Sequence, residues 1–169
     1  LFKQFADVDA WPVCLDTQDV DEIVRTVQIL APVYGGINLE DIAAPACFEV
    51  EDRLKELLDI PVFHDDQHGT AVICAAGLIN ALHISGKKIE DCRIVLNGAG
   101  AAGIACLELI KAMGAKHDNC IMCDTKGVIY QGRTEGMNQW KSAHAAVTDA
   151  RSLEDAMKGA DVFLGVSAK

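Results

Sequence analysis

Two pairs of neighbouring acidic residues are the first candidates for chemistry. Glu40-Asp41 follows one short apolar run, and Asp65-Asp66 follows another further along the chain. Parallel strands of an open α/β sheet end at one edge, about 5 Å apart, so the two pairs are expected to converge. Converging carboxylates repel each other unless a cation neutralises them, and Mg²⁺ or Mn²⁺ takes such oxygen ligands. The pattern favours a metal site over two sets of helix caps.

Histidines beside the second acidic pair suggest an alternative metal. His64 and His68 flank Asp65-Asp66 and offer nitrogen ligands for zinc. Two histidines four positions apart are more often solvated or capping residues, so oxygen ligands remain the favoured set. The other histidines have no partner in sequence and are expected on the surface; they are His83, His117 and His144.

A glycine-rich turn lies in the middle of the chain. An apolar run over 93–96 predicts a buried strand, and helical spacing begins after residue 103. Between them Gly98, Gly100 and Gly103 have the spacing G-x-G-x-x-G. The first glycine permits a tight bend, the second lets the backbone approach a pyrophosphate, and the third lets helix and strand pack closely. The N–H groups that begin the helix would bind phosphate, so the turn predicts a dinucleotide site rather than a plain strand-helix turn.

A second strand carries the residues that would read the cofactor's ribose. The run 119–123 ends in Asp124, 21 residues after Gly103, where an acidic side chain bonds a ribose hydroxyl. Lys126 follows and, with Thr125, could hold a 2′-phosphate instead. Cys120 and Cys123 match half of a redox or metal motif, but a buried strand explains them better, because cysteine packs as a small hydrophobe.

Alternating strands and helices must position these residues. Such alternation predicts α/β architecture with a parallel sheet. A helix over 20–30, capped by Asp16 or Thr17, and a long apolar helix from Gln67 or Gly69 to about Ser85 have the clearest patterns. Weaker patterns predict strands over 11–15, 36–39 and 61–63, a helix over 46–58, and a helix over 136–146 without functional signal.

Composition excludes several classes of function. The chain has 169 residues and a net charge of −10, which argues against a nucleic-acid or anionic-membrane surface. No signal peptide is evident, and no apolar run reaches the roughly 18 residues of a membrane span. Seven scattered cysteines fit a reducing cytoplasm. The chain begins at Leu1 and is expected to be a piece of a longer polypeptide.

Three stretches together resemble the malic enzymes, most closely the bacterial type. They are Gly-Gly-Ile-Asn-Leu-Glu-Asp-Ile from residue 35, Pro-Val-Phe-His-Asp-Asp-Gln-His-Gly-Thr-Ala from residue 61, and the glycine-rich turn from residue 97. The resemblance covers essentially the whole chain. It implies oxidation and decarboxylation of L-malate to pyruvate and CO₂, with NADP or NAD and with Mg²⁺ or Mn²⁺. It also implies a homo-oligomer, a dimer or larger.

The resemblance assigns roles residue by residue. Glu40, Asp41 and Asp66 match the metal-ligating carboxylates, and Asp65 matches the acid that orients the catalytic lysine. The stretch around Asp124 and Lys126 resembles bacterial enzymes that prefer NADP, which tips the cofactor prediction from NAD to NADP. The other positions that match cofactor-binding residues are Thr70, Gly98, Ala99, Gly100, Ala101, Ala102, Gly103, Val166 and Ser167.

The resemblance also implies how the chain divides. Residues 1–75 would be the end of a catalytic α/β domain, 76–89 a linking segment, and 90–169 the first part of a Rossmann-type parallel-sheet domain that includes a strand over 161–166. The family's lysine base and tyrosine acid match no residue here, so residues 1–169 alone are expected to be inactive. Two alternatives stay open, namely an amino-acid dehydrogenase of similar build, which needs no metal, and a nucleotide-binding module without catalysis.

Overall fold

A computed structural model describes residues 1–167, and two sheets, one parallel and one mixed, organise it. The strands are β1 Ile37–Leu39, β2 Val62–His64, β3 Ile94–Asn97, β4 Cys120–Asp124, β5 Gly127–Val128 and β6 Val162–Gly165. The helices are α1 Phe2–Ala6, α2 Val20–Leu30, α3 Ala46–Leu57, α4 Thr70–Ser85, α5 Ala101–Ala112, α6 Gln139–Ser142 and α7 Leu153–Met157. Short 3-10 turns cover Ala31–Val33, Ile89–Asp91 and His117–Asn119, and Asp65–Gly69 forms one π-helical turn.

The first sheet ends in the acidic edge, which consists of Glu40, Asp41, Asp65 and Asp66, the residues that directly follow its two strands. β1 and β2 pair in parallel, with Leu39 opposite His64, so the residues that follow the two strands are neighbours. Helices α2 and α3 pack beside this sheet and share its apolar core. The side chain of Asp19 caps α2 by accepting a hydrogen bond from the N–H of Glu22, 2.9 Å away. The prediction of Asp16 or Thr17 as the cap is therefore wrong by two or three positions.

The second sheet has the strand order β5-β4-β3-β6. β3 lies at its centre and is parallel to both neighbours, with Leu96 opposite Met122 of β4 and Leu164 of β6. The first three residues of β3 are completely buried, because helices cover both faces of a parallel sheet. β5 is antiparallel to β4, so the sheet is mixed rather than wholly parallel. The predicted α/β architecture is confirmed; the predicted domain boundaries stay a prediction.

Helix α4 connects the two sheets. It packs along α5 and ends at Gly86, whose φ of 68° gives the left-handed turn that closes a helix. Together with the π turn it makes a 21-residue helical stretch, Asp65–Ser85, that is long and apolar enough to cross a membrane. The expectation that no stretch reaches that length is therefore wrong. Core helices of soluble proteins also pass this test of length and composition.

Two other predicted elements differ from the structure. Residues 11–15 form no strand; Trp11 is 78% exposed, and Leu15 packs against the apolar core of the first sheet instead. The predicted helix over 136–146 shrinks to the four residues of α6, which starts where the side chain of Asn138 accepts a hydrogen bond from the N–H of Lys141. Gly136 has a φ of 66°, which helical backbone does not adopt.

Candidate functional site

The acidic edge is held together by a hydrogen bond between its two halves. The main-chain N–H of Asp41 donates to Oδ2 of Asp66 over 3.0 Å. Asp41 has a φ of 55°, a left-handed conformation that aspartate tolerates better than most residues. The side chain of Glu40 is turned toward Asn38, whose Nδ2 donates to Oε1 over 2.8 Å. The structure thus brings Asp41 and Asp66 together and leaves Glu40 beside them with another partner.

The donor chemistry of this edge suits a hard cation. Glu40, Asp41 and Asp65 are exposed, Asp66 is half-buried, and all four offer carboxylate oxygens, the ligands that Mg²⁺ and Mn²⁺ prefer. Among residues 1–167, no group of three His, Cys, Asp or Glu side chains stands in ligating geometry. The residues therefore fit such an ion by chemistry and proximity, and the hydrogen bond from Asn38 occupies only Oε1 of Glu40.

A π turn carries Asp65 and Asp66. Such turns are rare and concentrate at functional sites. A Cβ on Gly69 would lie 2.2 Å from Oδ1 of Asp65, so the glycine makes room for this carboxylate. The N–H of Thr70, which begins α4, donates to the carbonyls of Asp65 and Gln67 and joins the turn to the helix. The one-residue widening of this turn has no signature in apolar periodicity, and sequence reasoning missed it.

The two histidines of the zinc alternative have different surroundings. His64 is fully buried in β2, and within residues 1–167 neither ring nitrogen has a hydrogen-bond partner. His68 lies within the π turn, and its Nε2 is 2.6 Å from Oε1 of Glu51 on α3. Glu51 is a buried carboxylate that sequence reasoning missed, because it lies on the apolar face of an otherwise ordinary helix.

The glycine-rich turn has the close approaches expected of a phosphate-binding loop. A Cβ on Gly103 would lie 1.7 Å from the carbonyl oxygen of Gly98, so only glycine allows helix α5 to begin so close to β3. Gly98 has a φ of 125°, and its Cβ position would be within 3.0 Å of the backbone of Val166 and Ser167. Gly100, which precedes α5, has open space at its Cβ position. The loop therefore meets the end of β6 on one side and is open on the other.

Helix α5 begins with Ala101 and Ala102, directly after Ala99 and Gly100. A cavity of about 270 Å³ adjoins this helix start and extends to α3 and α6. In it the rings of Phe48 and Trp140 stack with centroids 4.7 Å apart. Trp140, in the stretch predicted to carry no functional signal, lines this cavity beside the loop. The cavity is lined by Ala44, Pro45, Phe48, Ala99, Gly100, Ile104, Asn138, Trp140 and Lys141.

Asp124 ends β4 and is engaged by two cations. Nη2 of Arg133 is 2.9 Å from both its carboxylate oxygens, and Nζ of Lys141 is 2.8 Å from Oδ2. Burial by itself would raise the pKa of Asp124, but hydrogen bonds from Lys141, from the N–H of Lys126 and from Arg133 lower it overall. Sequence reasoning missed both cations, because they follow Asp124 by 9 and 17 positions and match no spacing rule.

Lys126 bonds Asp124 through its main chain and not through its side chain. Its N–H donates to Oδ1 of Asp124, whereas its Nζ is 2.9 Å from the exposed carboxylate of Glu135. The positive charge of Lys126 is therefore partly offset by an acidic neighbour. Lys141 and Arg133, by contrast, are held against Asp124 with side chains only 18% and 5% exposed.

A cluster of basic side chains lies apart from the surroundings of Asp124. Nζ of Lys111 is 3.0 Å from Nδ1 of both His117 and His144. His144 is buried and His117 is exposed, so the surface prediction is wrong for His144 and confirmed for His117. Burial first, and then the charge of Lys111, lower the pKa of His144 to about 4. Cys120 and Cys123 are buried in β4, as the strand interpretation predicts, and burial raises the pKa of both thiols.

Comparison with known families identifies two matching models. The model described as "Malic enzyme, NAD binding domain" matches residues 67–169. The model described as "Malic enzyme, N-terminal domain" matches residues 17–55. The first match covers α4 and the second sheet; the second match covers α2, β1 and most of α3, and β2 lies between the two matches.

Individual proteins agree with the family models. The chain is 64% identical over 169 residues to the NADP-dependent malic enzyme of Rhizobium meliloti and covers 22% of that protein. It is 56% identical to the NAD-dependent malic enzyme of Geobacillus stearothermophilus, with 99% of this chain and 35% of that protein covered. The chain thus spans about a fifth to a third of the length of these relatives.

Solved structures share the fold over nearly all of this chain. The NAD-dependent malic enzyme of Thermotoga maritima superposes with a TM-score of 0.92 at 43% identity, over 98% of this chain and 45% of that one. The malic enzyme of Entamoeba histolytica superposes with a TM-score of 0.93 at 38% identity, over 98% of this chain and 37% of that one.

Proposed function

Because this chain belongs to the malic enzyme family, we propose that the protein containing it oxidises and decarboxylates L-malate to pyruvate and CO₂ with reduction of NADP. The hydrogen bond between the N–H of Asp41 and the carboxylate of Asp66 carries the proposal. It draws acidic residues from two strand ends into one cluster, which an amino-acid dehydrogenase without a metal would not require. Helix capping alone does not account for it either, because the donor and acceptor belong to different strand ends.

The carboxylates of Glu40, Asp41 and Asp66 are proposed to hold Mg²⁺ or Mn²⁺. Their oxygen chemistry and their position after paired parallel strands support this assignment. A divalent ion there would act as a Lewis acid. It would stabilise negative charge on the C2 oxygen of the substrate while CO₂ leaves from the neighbouring carbon C3. Asp65 is proposed to orient the catalytic lysine, and its exposed carboxylate at the start of the π turn supports that role.

The glycine-rich turn is proposed to bind the pyrophosphate of the cofactor. The open space at Gly100 and the start of the 12-residue helix α5 support phosphate binding by Ala99, Ala101 and Ala102 backbone groups. Gly98 and Gly103 shape the turn through their close backbone contacts. Val166 and Ser167 adjoin Gly98 and are proposed to lie beneath the nicotinamide, while Thr70 is proposed to face the cofactor from the start of α4.

NADP is the proposed cofactor, with NAD as the alternative. A lone carboxylate at Asp124 would repel a 2′-phosphate, but Arg133 and Lys141 offset its charge. Lys126 adds a third cation at the same strand end. The relative with 64% identity is named NADP-dependent, and the one with 56% identity is named NAD-dependent, so the charge balance around Asp124 is the argument that favours NADP.

The protein is further proposed to be a cytoplasmic homo-oligomer that binds neither nucleic acid nor membrane. A net charge of −10 supports the absence of nucleic-acid and anionic-membrane partners. Helix α4 leaves large apolar side chains uncovered, such as Ile73 at 74% and Ile84 at 84% exposure. Such a face supports contact with another part of the polypeptide or with a second copy.

The test uses the full-length protein with L-malate, Mn²⁺ and either NADP or NAD. Reduced cofactor and pyruvate are quantified together, with EDTA as the control. Equal amounts of both products, faster formation with NADP, and loss of both with EDTA are expected. Reduced cofactor without pyruvate would indicate a simple dehydrogenase, and activity that survives EDTA would overturn the metal assignment.

A further inference from the structure

Glu51 is a buried carboxylate whose hydrogen bonds converge on the turn after β2. The residue is 3% exposed on the inner face of α3. Its Oε2 accepts a hydrogen bond from Nε2 of Gln67 over 3.0 Å, and its Oε1 lies 2.6 Å from Nε2 of His68. Nζ of Lys55, one turn along α3, approaches Oε1 at 2.7 Å. Burying a carboxylate is costly unless partners surround it, so this arrangement requires its donors.

The hydrogen-bond partners of Glu51 belong to the π turn after β2. Gln67 and His68 occupy consecutive positions of the π turn Asp65–Gly69, directly after Asp65 and Asp66. A π turn has poorer hydrogen-bond geometry than an α-helix, so it persists where surrounding contacts hold it. Glu51 supplies two such contacts from another element. The side chain of His68 also packs on the ring of Phe63, with centroids 5.5 Å apart.

The direction of the Asp66 side chain depends on this turn. Asp66 immediately precedes Gln67, and its Oδ2 accepts the N–H of Asp41. An α-helical turn holds one residue fewer than a π turn. If the π turn relaxed to an α-helical turn, the Asp66 side chain would therefore rotate about the helix axis, away from Asp41. The same buried glutamate therefore governs where a carboxylate of the acidic edge points.

We propose that Glu51 is a positioning residue for the metal site: by binding Gln67 and His68 it holds the π turn that aims Asp66 at Asp41. The proposal rests on the proposed function, because it concerns the same acidic edge. Glu51 touches neither substrate nor metal in this scheme and acts through the turn. Its loss is expected to weaken metal binding by about 10- to 100-fold, the range typical of residues that orient metal ligands.

The test measures Mn²⁺ binding directly, by electron paramagnetic resonance of free Mn²⁺, in the full-length protein. Glu51→Gln is expected to raise the Kd for Mn²⁺ about 10- to 100-fold while the Kd for NADP stays within about twofold. In kinetics the KM for Mn²⁺ should rise more than kcat falls. Glu49→Gln is the matched control on the same helix, since its carboxylate is 55% exposed and, within residues 1–167, pairs only with the half-buried Arg53.

A second variant covers the case in which Glu51→Gln does not fold. His68→Ala removes one partner at a position that is 37% exposed and leaves Glu51 with Lys55 and Gln67. It is expected to raise the Kd for Mn²⁺ by a smaller factor, about 3- to 10-fold. Unchanged Mn²⁺ affinity in whichever variants fold would overturn the positioning role. Absence of Mn²⁺ binding by the unmodified protein would instead overturn the proposed function.

Discussion

Nη2 of Arg133 lies 2.9 Å from both carboxylate oxygens of Asp124, nine positions away along the chain. With Lys141 on one of those oxygens, the aspartate expected to meet a ribose hydroxyl is enclosed by positive charge. The strand end that would discriminate between NAD and NADP therefore carries more cation than anion.

Removal of Lys141 is expected to shift cofactor preference. Lys141→Ala deletes a partly buried cation next to Asp124, which leaves the carboxylate less compensated and more repulsive to a 2′-phosphate. The ratio of kcat/KM for NADP to that for NAD should fall about tenfold or more, a change of about 1.4 kcal/mol. Steady-state kinetics of the full-length protein with both cofactors provides the measurement.

Lys126→Ala serves as the comparison for that experiment. Its ammonium group is paired with exposed Glu135, so its removal is expected to change the same ratio by less than Lys141→Ala does. If neither substitution alters the preference, the NADP assignment has no support from this strand end.

Gly103→Ala and Gly100→Ala are expected to separate folding from cofactor binding. A methyl group on Gly103 meets the carbonyl oxygen of Gly98 at 1.7 Å, and backbone cannot withdraw cheaply, so the free energy of unfolding should fall by about 3 kcal/mol or more. At Gly100 the methyl group enters open space, which should cost about 1 kcal/mol or less yet obstruct the approach of a pyrophosphate. Thermal unfolding and the Kd for NADP distinguish the two effects. A stable Gly103→Ala protein would contradict the packing argument.

Asp66→Asn is expected to preserve the turn but lose the metal. The amide oxygen of asparagine can still accept the N–H of Asp41, so the fold should be kept, whereas the missing charge should raise the Kd for Mn²⁺ by at least about 100-fold. Mn²⁺ titration measures the loss, and an unchanged far-ultraviolet circular dichroism spectrum controls for folding. Metal affinity equal to that of the unmodified protein would remove Asp66 from the ligand set.

His144 is expected to make the protein less stable in acid. Its pKa is about 4 in the folded chain, through burial and the nearby Lys111, against about 6.5 when unfolded. Between these values the unfolded chain binds a proton that the folded chain does not, so stability is lost as pH falls from about 6.5 to about 4. The resulting loss in the free energy of unfolding is about 2 kcal/mol at pH 5 and about 3 kcal/mol at pH 4.

The check compares unfolding in urea at pH 7 and pH 5 for the unmodified protein and for His144→Gln. Glutamine keeps a polar side chain without titrating in this range, so the stability difference between the two pH values should shrink by about 2 kcal/mol. An unchanged difference would show that His144 protonates as readily in the folded state as in the unfolded one.

Local patterns in the sequence were sufficient for the main elements. Helix α2 follows from apolar spacing, the long helix ending at Ser85 from its closing glycine, and the start of α5 from Gly98, Gly100 and Gly103. Each of these predictions depends on residues that are close together in the sequence, within about one helical turn or one tight turn. Over such short stretches the spacing of residue types limits the backbone conformation directly. The convergence of Asp41 and Asp66 could also be anticipated, because parallel pairing puts successive strand ends at one edge.

The tertiary structure alone decided which charges meet. The sequence by itself determined the order of strands and helices, the glycine turn and the acidic edge, since these are properties of contiguous residues. It could not show that Glu51 bonds the turn at Gln67 and His68, that Arg133 and Lys141 enclose Asp124, or that Lys111 joins two histidines. These contacts link side chains from separate elements, and their partners are set by helix rotation and loop path, which no periodicity within a single element encodes.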